Sequence, residues 1–144
     1  MSNVRQISVF VENKPSKLAE AMKLLKSNRI NIRAMSLADT KDFGILRMIV
    51  NDTEKTVDVL KEASYAVTVT EVVAISIPDS AGQLSRVLDI LGEKGVNLEY
   101  IYAFIGKSDR SVSFVLRVDD NNNASEALND AGIIQLTEND IAEM

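Results

Sequence analysis

Two short stretches of this chain carry a β-branched apolar residue at every second position. In the first, Ile7, Val9 and Val11 share one parity against Ser8 and Phe10; in the second, Val73, Ile75 and Ile77 do so against Ala74 and Ser76. A period of two with β-branched residues predicts a strand with one buried face. Each stretch then breaks, at Glu12–Ser16 and at Pro78–Gly82, where Pro, Gly, Asn, Asp and Ser supply turn geometry and helix caps. Beyond the break the period changes. Leu18, Ala21, Met22 and Leu25 fall at helical spacing, as do Leu84, Val87, Leu88 and Leu91, so an amphipathic helix with one apolar stripe is expected in each place. These helices should end near Asn28 and at Gly95, residue types that tolerate the left-handed conformation.

The two stretches are the same pattern written twice. Leu18/Leu84, Leu25/Leu91 and Asn31/Asn97 are each 66 positions apart, and no gap is needed from Ile7/Val73 to Met35/Ile101. After a two-residue insertion the match resumes at Val50/Val118, Asp52/Asp120, Leu60/Leu128 and Ala63/Ala131, at an offset of 68. A period this long means two copies of a small domain, here residues 1–70 and 71–144.

The remaining elements follow from the same reading. A second strand is expected over 30–37 and 96–104, and a third over 45–50 and 112–118. They are joined through the Gly-, Asp- and Ser-bearing loops 39–44 and 106–111. A second helix is expected over 53–64 and 122–131, capped by Thr53 or Thr56 in one copy and by the Asn121–Asn123 run in the other. A fourth strand, 66–69 and 133–136, closes each unit. The order β-α-β-β-α-β, twice, places one-striped helices on one sheet face. The fold class is therefore α+β: two ferredoxin-like units, each a two-layer sandwich with an antiparallel sheet, side by side as one eight-stranded sheet. Leu18, Met22, Leu25, Leu60, Leu84, Leu88, Leu91 and Leu128 should be among the most buried residues. With only Thr70-Glu71 between the copies, and each copy marginal in size, unfolding should be one cooperative transition.

Composition narrows the chemistry. The chain has 46% hydrophobic and 26% charged residues, no cysteine, and no run apolar enough to span a bilayer. No charged-then-apolar leader opens it, and a cytoplasmic location is expected. A net charge of −5 opposes binding to nucleic acid, which needs cationic contacts to phosphate; Lys14, Lys17, Lys23 and Lys26 read as a solvated face. Zero histidine and zero cysteine remove the commonest general base, the thiolate nucleophile and the usual zinc ligands. There is no phosphate-binding glycine loop and no nucleophile elbow. No enzyme, metal or cofactor is expected.

Candidate chemistry concentrates at the first turn of each unit. From Asp79 through Ser80, Ala81, Gly82 and Gln83 to Leu84, a strand end becomes a helix start, where unpaired N–H groups and the helix dipole favour a carboxylate or phosphate. Either Gly82 clears an approach for a ligand to the backbone of this turn, or Asp79 or Ser80 merely caps the helix and Gly82 merely allows close packing. In the first copy the turn runs through Asn13, Lys14, Pro15, Ser16 and Lys17 to Leu18, without the glycine. Asn31 and Asn97 open the second strands; each could hydrogen-bond its own turn or complement a zwitterion.

The run D-x-x-G-x-L followed by G-[IV]-N-[IL] resembles the ACT domain. The second copy carries it as Asp79-Ser80-Ala81-Gly82-Gln83-Leu84 and Gly95-Val96-Asn97-Leu98. The first has the degraded Asn13-Lys14-Pro15-Ser16-Lys17-Leu18 and Arg29-Ile30-Asn31-Ile32. That resemblance implies a regulatory module binding an amino acid between paired domains, held by the first turn of one and the second-strand region of the other. It carries over the turns 13–18 and 79–84 with Asn31 and Asn97. The missing glycine at Ser16 implies one good site and one weak or structural one. The expected ligand is an L-amino acid with its carboxylate on the amides of turn 79–84 and its ammonium near Asn97 or an opposing carbonyl. On this reading Gly82→Val abolishes binding and Ser16→Val does much less. Expected partners are the amino acid and either a metabolic enzyme or a second copy of the chain, with neither nucleic acid nor membrane. The alternative is a docking module that acts on a metabolic enzyme without a ligand.

Overall fold

The computed structural model describes residues 3–106 and 110–144; part of the expected loop 106–111 lies outside these. The first copy forms β1 (Val4–Glu12), α1 (Lys17–Ser27), β2 (Ile32–Asp39), β3 (Phe43–Val50) and α2 (Thr53–Glu62). Then come β4 (Val67–Pro78), α3 (Gln83–Glu93), β5 (Leu98–Ala103), β6 (Ser111–Val118), α4 (Asn121–Asp130), β7 (Ile134–Gln135) and a short α5 (Glu138–Ala142).

The eight expected strand segments are seven strands, because the last of one copy and the first of the next are the continuous β4. Thr70-Glu71 is strand, paired through Gln6 and Arg5 of β1, and is no linker. The second Thr-Glu has a different fate. Thr137 caps α5 in a capping box with Asp140, an element the sequence reading lacked. The strands run in the order β2-β3-β1-β4-β6-β5, with β7 paired to β4. All of these pairings are antiparallel.

The sheet curls until its outer strands meet. Ala34 of β2 bridges Phe104, just past β5, and the Ile105 N–H donates to the Arg33 carbonyl at 2.7 Å. Both outer strands carry a bulge, at Arg33 and at Glu99, which adds local bend and twist.

Alternation then builds three cores. Ile7, Val9, Val11, Leu46 and Met48 pack with Leu25 and Leu60 in the first copy, and Val73, Ile75, Ile77 and Leu116 with Val87, Leu91 and Leu128 in the second. The opposite parity points inside the curl, where Val4, Ala34, Ile49, Val72, Ala74, Tyr102 and Val115 meet Ile141 of α5. The interior also holds Gln6, fully buried, whose Nε2 donates to Tyr100 Oη at 2.7 Å. The Arg47 guanidinium lies 4.0 Å from the centroid of the Tyr100 ring.

Four expectations need correction. Leu88 is 40% exposed: the buried stripe of α3 is Val87 and Leu91, and Leu88 lies one residue round the helix from it. Leu18, Met22 and Leu84 are half-buried at the rims of their cores. The caps of α2 and α4 are the repeated Asp52 and Asp120, whose carboxylates accept from the Lys55 and Asn123 amides; the Thr and Asn residues sit one position further in or more. Asn28 is not left-handed (φ −100°); Arg29 takes that conformation (φ 57°), as Gly95 does in the second copy.

Candidate functional site between the two copies

The two first turns are built alike. Ser16 and Gly82 both precede their helices in the left-handed region, at φ 71° and 88°, and neither helix receives a side-chain cap. A Cβ at Gly82 would meet nothing within 4 Å, so this glycine serves backbone conformation and not close packing. Ser16 reaches the same conformation despite its side chain, so losing the glycine has not changed the turn. Gln83 N–H bonds back to Ser80 O, and Lys17 N–H to Lys14 O, at 3.3 Å each. Among the described residues, the next amides, Leu84 and Ser85 in α3 and Leu18 and Ala19 in α1, have no acceptor.

The Asn residues are elsewhere. Asn31 and Asn97 are exposed at the far ends of α1 and α3, each helix eleven residues or about 16 Å long. Neither is brought to the turn of its own copy. The backbone N–H of each donates to a side chain just past the third strand: Asn31 N–H to Asn51 Oδ1 and Asn97 N–H to Asp119 Oδ1, both at 2.9 Å.

What does come together spans the copies. Arg33, two residues beyond Asn31, and Asp79, which opens the second turn, line one cavity of about 510 Å³ with Phe104, Ile105, Ser111 and Ser113. Gly106, Val112 and Met144 are the other described residues of its wall. The volume lies in the range of small-molecule sites. Asp79 is exposed, with its N–H donating to Arg110 O at 2.9 Å, which ties the turn to the start of β6. Arg33 Nε is buried without an acceptor among the described residues. No ion pair of the described residues uses Arg33 or Asp79. A cation and an anion from different copies thus flank an apolar wall, an arrangement complementary to a zwitterion with an apolar side chain.

Of the other expected residues, Ser80, Ala81 and Gly82 are exposed on the turn, while Gln83 and Leu84 form the first turn of α3. In the first copy, Asn13 donates to Asp39 at 2.9 Å and Lys14 pairs with Glu12 at 3.3 Å. Pro15 is exposed and Leu18 packs at the rim of the core. Sequence reasoning missed Arg33, Phe104, Ile105, Ser111, Ser113 and Met144. One signal was available: Arg33 and Glu99 occupy the same repeat position with opposite charge. A larger cavity, about 650 Å³, opens between α4 and β7, but its lining comes from the second copy alone and includes no cation.

The family model described as an ACT domain pair matches residues 2–144. The chain belongs to this family. The ACT domain pair is a regulatory module, and the two units are its two ACT domains. A protein of Bacteroides thetaiotaomicron is similar at 34% identity and TM-score 0.92, over 99% of this chain and 97% of that one. The ligand-free regulatory subunit of aspartate kinase from Thermus thermophilus shares the fold at 14% identity and TM-score 0.64, over 91% and 93% of the two chains. Aspartate kinase from Synechocystis does so at 19% identity and TM-score 0.57, over 88% of this chain and 25% of its own. No curated protein matches in sequence. No described helix is long and apolar enough to cross a membrane.

Proposed function

We propose that this ACT domain pair is a cytoplasmic, non-enzymatic sensor that binds an L-amino acid in the cavity between its two domains and signals occupancy to a metabolic enzyme. One observation carries the reading: Arg33 of the first domain and Asp79 of the second face a common cavity whose wall includes Phe104, Ile105 and Val112. A carboxylate matches the guanidinium, an ammonium matches the Asp79 carboxylate, and Ser111 and Ser113 offer hydroxyls to either. The apolar wall favours an aliphatic or aromatic side chain. Because the lining comes from both domains, occupancy favours the arrangement that holds them together, which gives binding a route to a change in shape. The structures that share the fold include a regulatory subunit of aspartate kinase and an aspartate kinase, which supports an enzyme as the partner.

Chemical-shift mapping with each of the twenty L-amino acids tests this. The expected perturbations cluster at Arg33, Asp79, Phe104, Ile105 and Ser113. Perturbations confined to the α4–β7 cavity would overturn the placement.

A second reading has its own observation. Phe10 and Phe43 are exposed and line one cavity on the first domain with Tyr65, a surface suited to docking an enzyme without any ligand.

A further inference from the structure

The internal repeat implies a second site, related to the first by the same 66-residue offset. The sequence alters its residues one by one. Arg33 corresponds to Glu99, Asp79 to Asn13, and Ile105 to Asp39. Where the first site presents Arg33, Asp79 and an apolar wall, the matching positions carry Glu99, Asn13 and Asp39. Those acids are engaged. Glu99 pairs with Arg117 of β6 at 3.6 Å, and Asp39 accepts from Asn13 Nδ2 at 2.9 Å. The position matching Arg117 in the first copy is Ile49, buried in the interior core, so Arg33 has no acidic neighbour at the matching place. The turns do not explain the difference, because Ser16 and Gly82 share one backbone conformation.

We infer that the chain binds one amino acid, not two, and that Arg33 anchors its carboxylate, while at the matching positions Glu99 and Asp39 are each taken up by a contact inside their own domain. A carboxylate entering there would face Glu99 and Asp39 and would have to displace Arg117 or Asn13 from them. The inference rests on the proposal that the inter-domain cavity takes an amino acid.

Titration calorimetry of the intact chain with each of the twenty L-amino acids, and with isobutylamine and phenethylamine as counterparts of valine and phenylalanine lacking the carboxylate, provides the test. The expected result is a stoichiometry near one and no measurable heat from either amine. Arg33→Gln should weaken binding by at least about tenfold, the scale of one hydrogen bond to a charged group. Arg33→Lys, which keeps the charge but loses the planar fork, should fall between. Circular dichroism of both variants establishes that the fold is retained, and Glu99→Gln should leave affinity within about twofold. A stoichiometry near two, or an Arg33→Gln affinity equal to wild type, overturns the inference and leaves the amino-acid reading standing. Absence of binding by all twenty overturns both.

Discussion

Tyr102 Oη donates to Gln6 Oε1 at 2.6 Å, and both residues are buried inside the curled sheet. Gln6 belongs to the first domain and Tyr102 to the second, and the Gln6 amide nitrogen is spent on Tyr100. The domains are therefore joined by a polar contact shielded from water, in addition to the shared strand β4.

Removing that hydroxyl leaves the Gln6 oxygen buried without its donor. Tyr102→Phe should cost about 1–3 kcal/mol in denaturant melts. A loss under about 0.5 kcal/mol would mean that water replaces the hydroxyl and that the contact does not join the domains.

The same phenol makes stability depend on pH. Burial, with a smaller contribution from Tyr100, pushes the Tyr102 hydroxyl well above the ordinary tyrosine range, and Arg47 opposes the shift. The folded state thus holds this proton more tightly than the unfolded chain. Its contribution is full below the unfolded value of about 10 and is lost as pH rises beyond it. Stability of the wild type should fall more steeply above pH 10 than that of Tyr102→Phe; parallel curves would contradict the assignment.

The repeated turns give a paired test of backbone conformation. Ser16→Gly should stabilise the chain by about 0.5–1 kcal/mol, and Gly82→Ala should destabilise it by about 1 kcal/mol, since each changes only the cost of a left-handed residue. Thermal melts that move in the same direction for both would show that something besides backbone conformation acts at one turn.

On α3, Leu91→Ala should cost ~2–5 kcal/mol because Leu91 is 2% exposed. Leu88→Ala should cost about 1 kcal/mol or less. Equal losses would place the stripe as the sequence alone had it.

Most of the fold was legible because the sequence repeats its periods. Ile7/Val73 and Leu25/Leu91 specify strand and helix twice, and the agreement of two copies fixed the element order. Leu88 misled because Val87 and Leu88 are both apolar, and spacing alone does not say which of two neighbours centres a stripe. The fusion of two strands into β4 was hidden because Thr70-Glu71 is polar, as a linker would be. In fact Thr70 sits in the ladder opposite Gln6, and Glu71 opposite Arg5. For the candidate site, helix-start chemistry pointed to the turn that Asp79 opens, but to its amides; of that turn only Asp79 lines the cavity. Arg33 was not legible, because its role depends on a sheet that curls until β2 meets the end of β5, a long-range event that no local pattern records. The asymmetry expected from Ser16 against Gly82 is not in the turn backbone, which the two copies share; under the inference above it lies in the charge of the second-strand residue.

The most direct test of amino-acid sensing between the domains is a thermal-shift screen of the intact chain against twenty L-amino acids, run beside Asp79→Asn. At 100 times the dissociation constant, a ligand confined to the folded state stabilises by ~2.7 kcal/mol. For a chain of this length that is a rise of roughly 5–10 °C. The predicted result is such a rise for one or a few apolar amino acids with the wild type, reduced or lost in Asp79→Asn. No rise with any amino acid at millimolar concentration, or an undiminished rise in Asp79→Asn, would contradict the account.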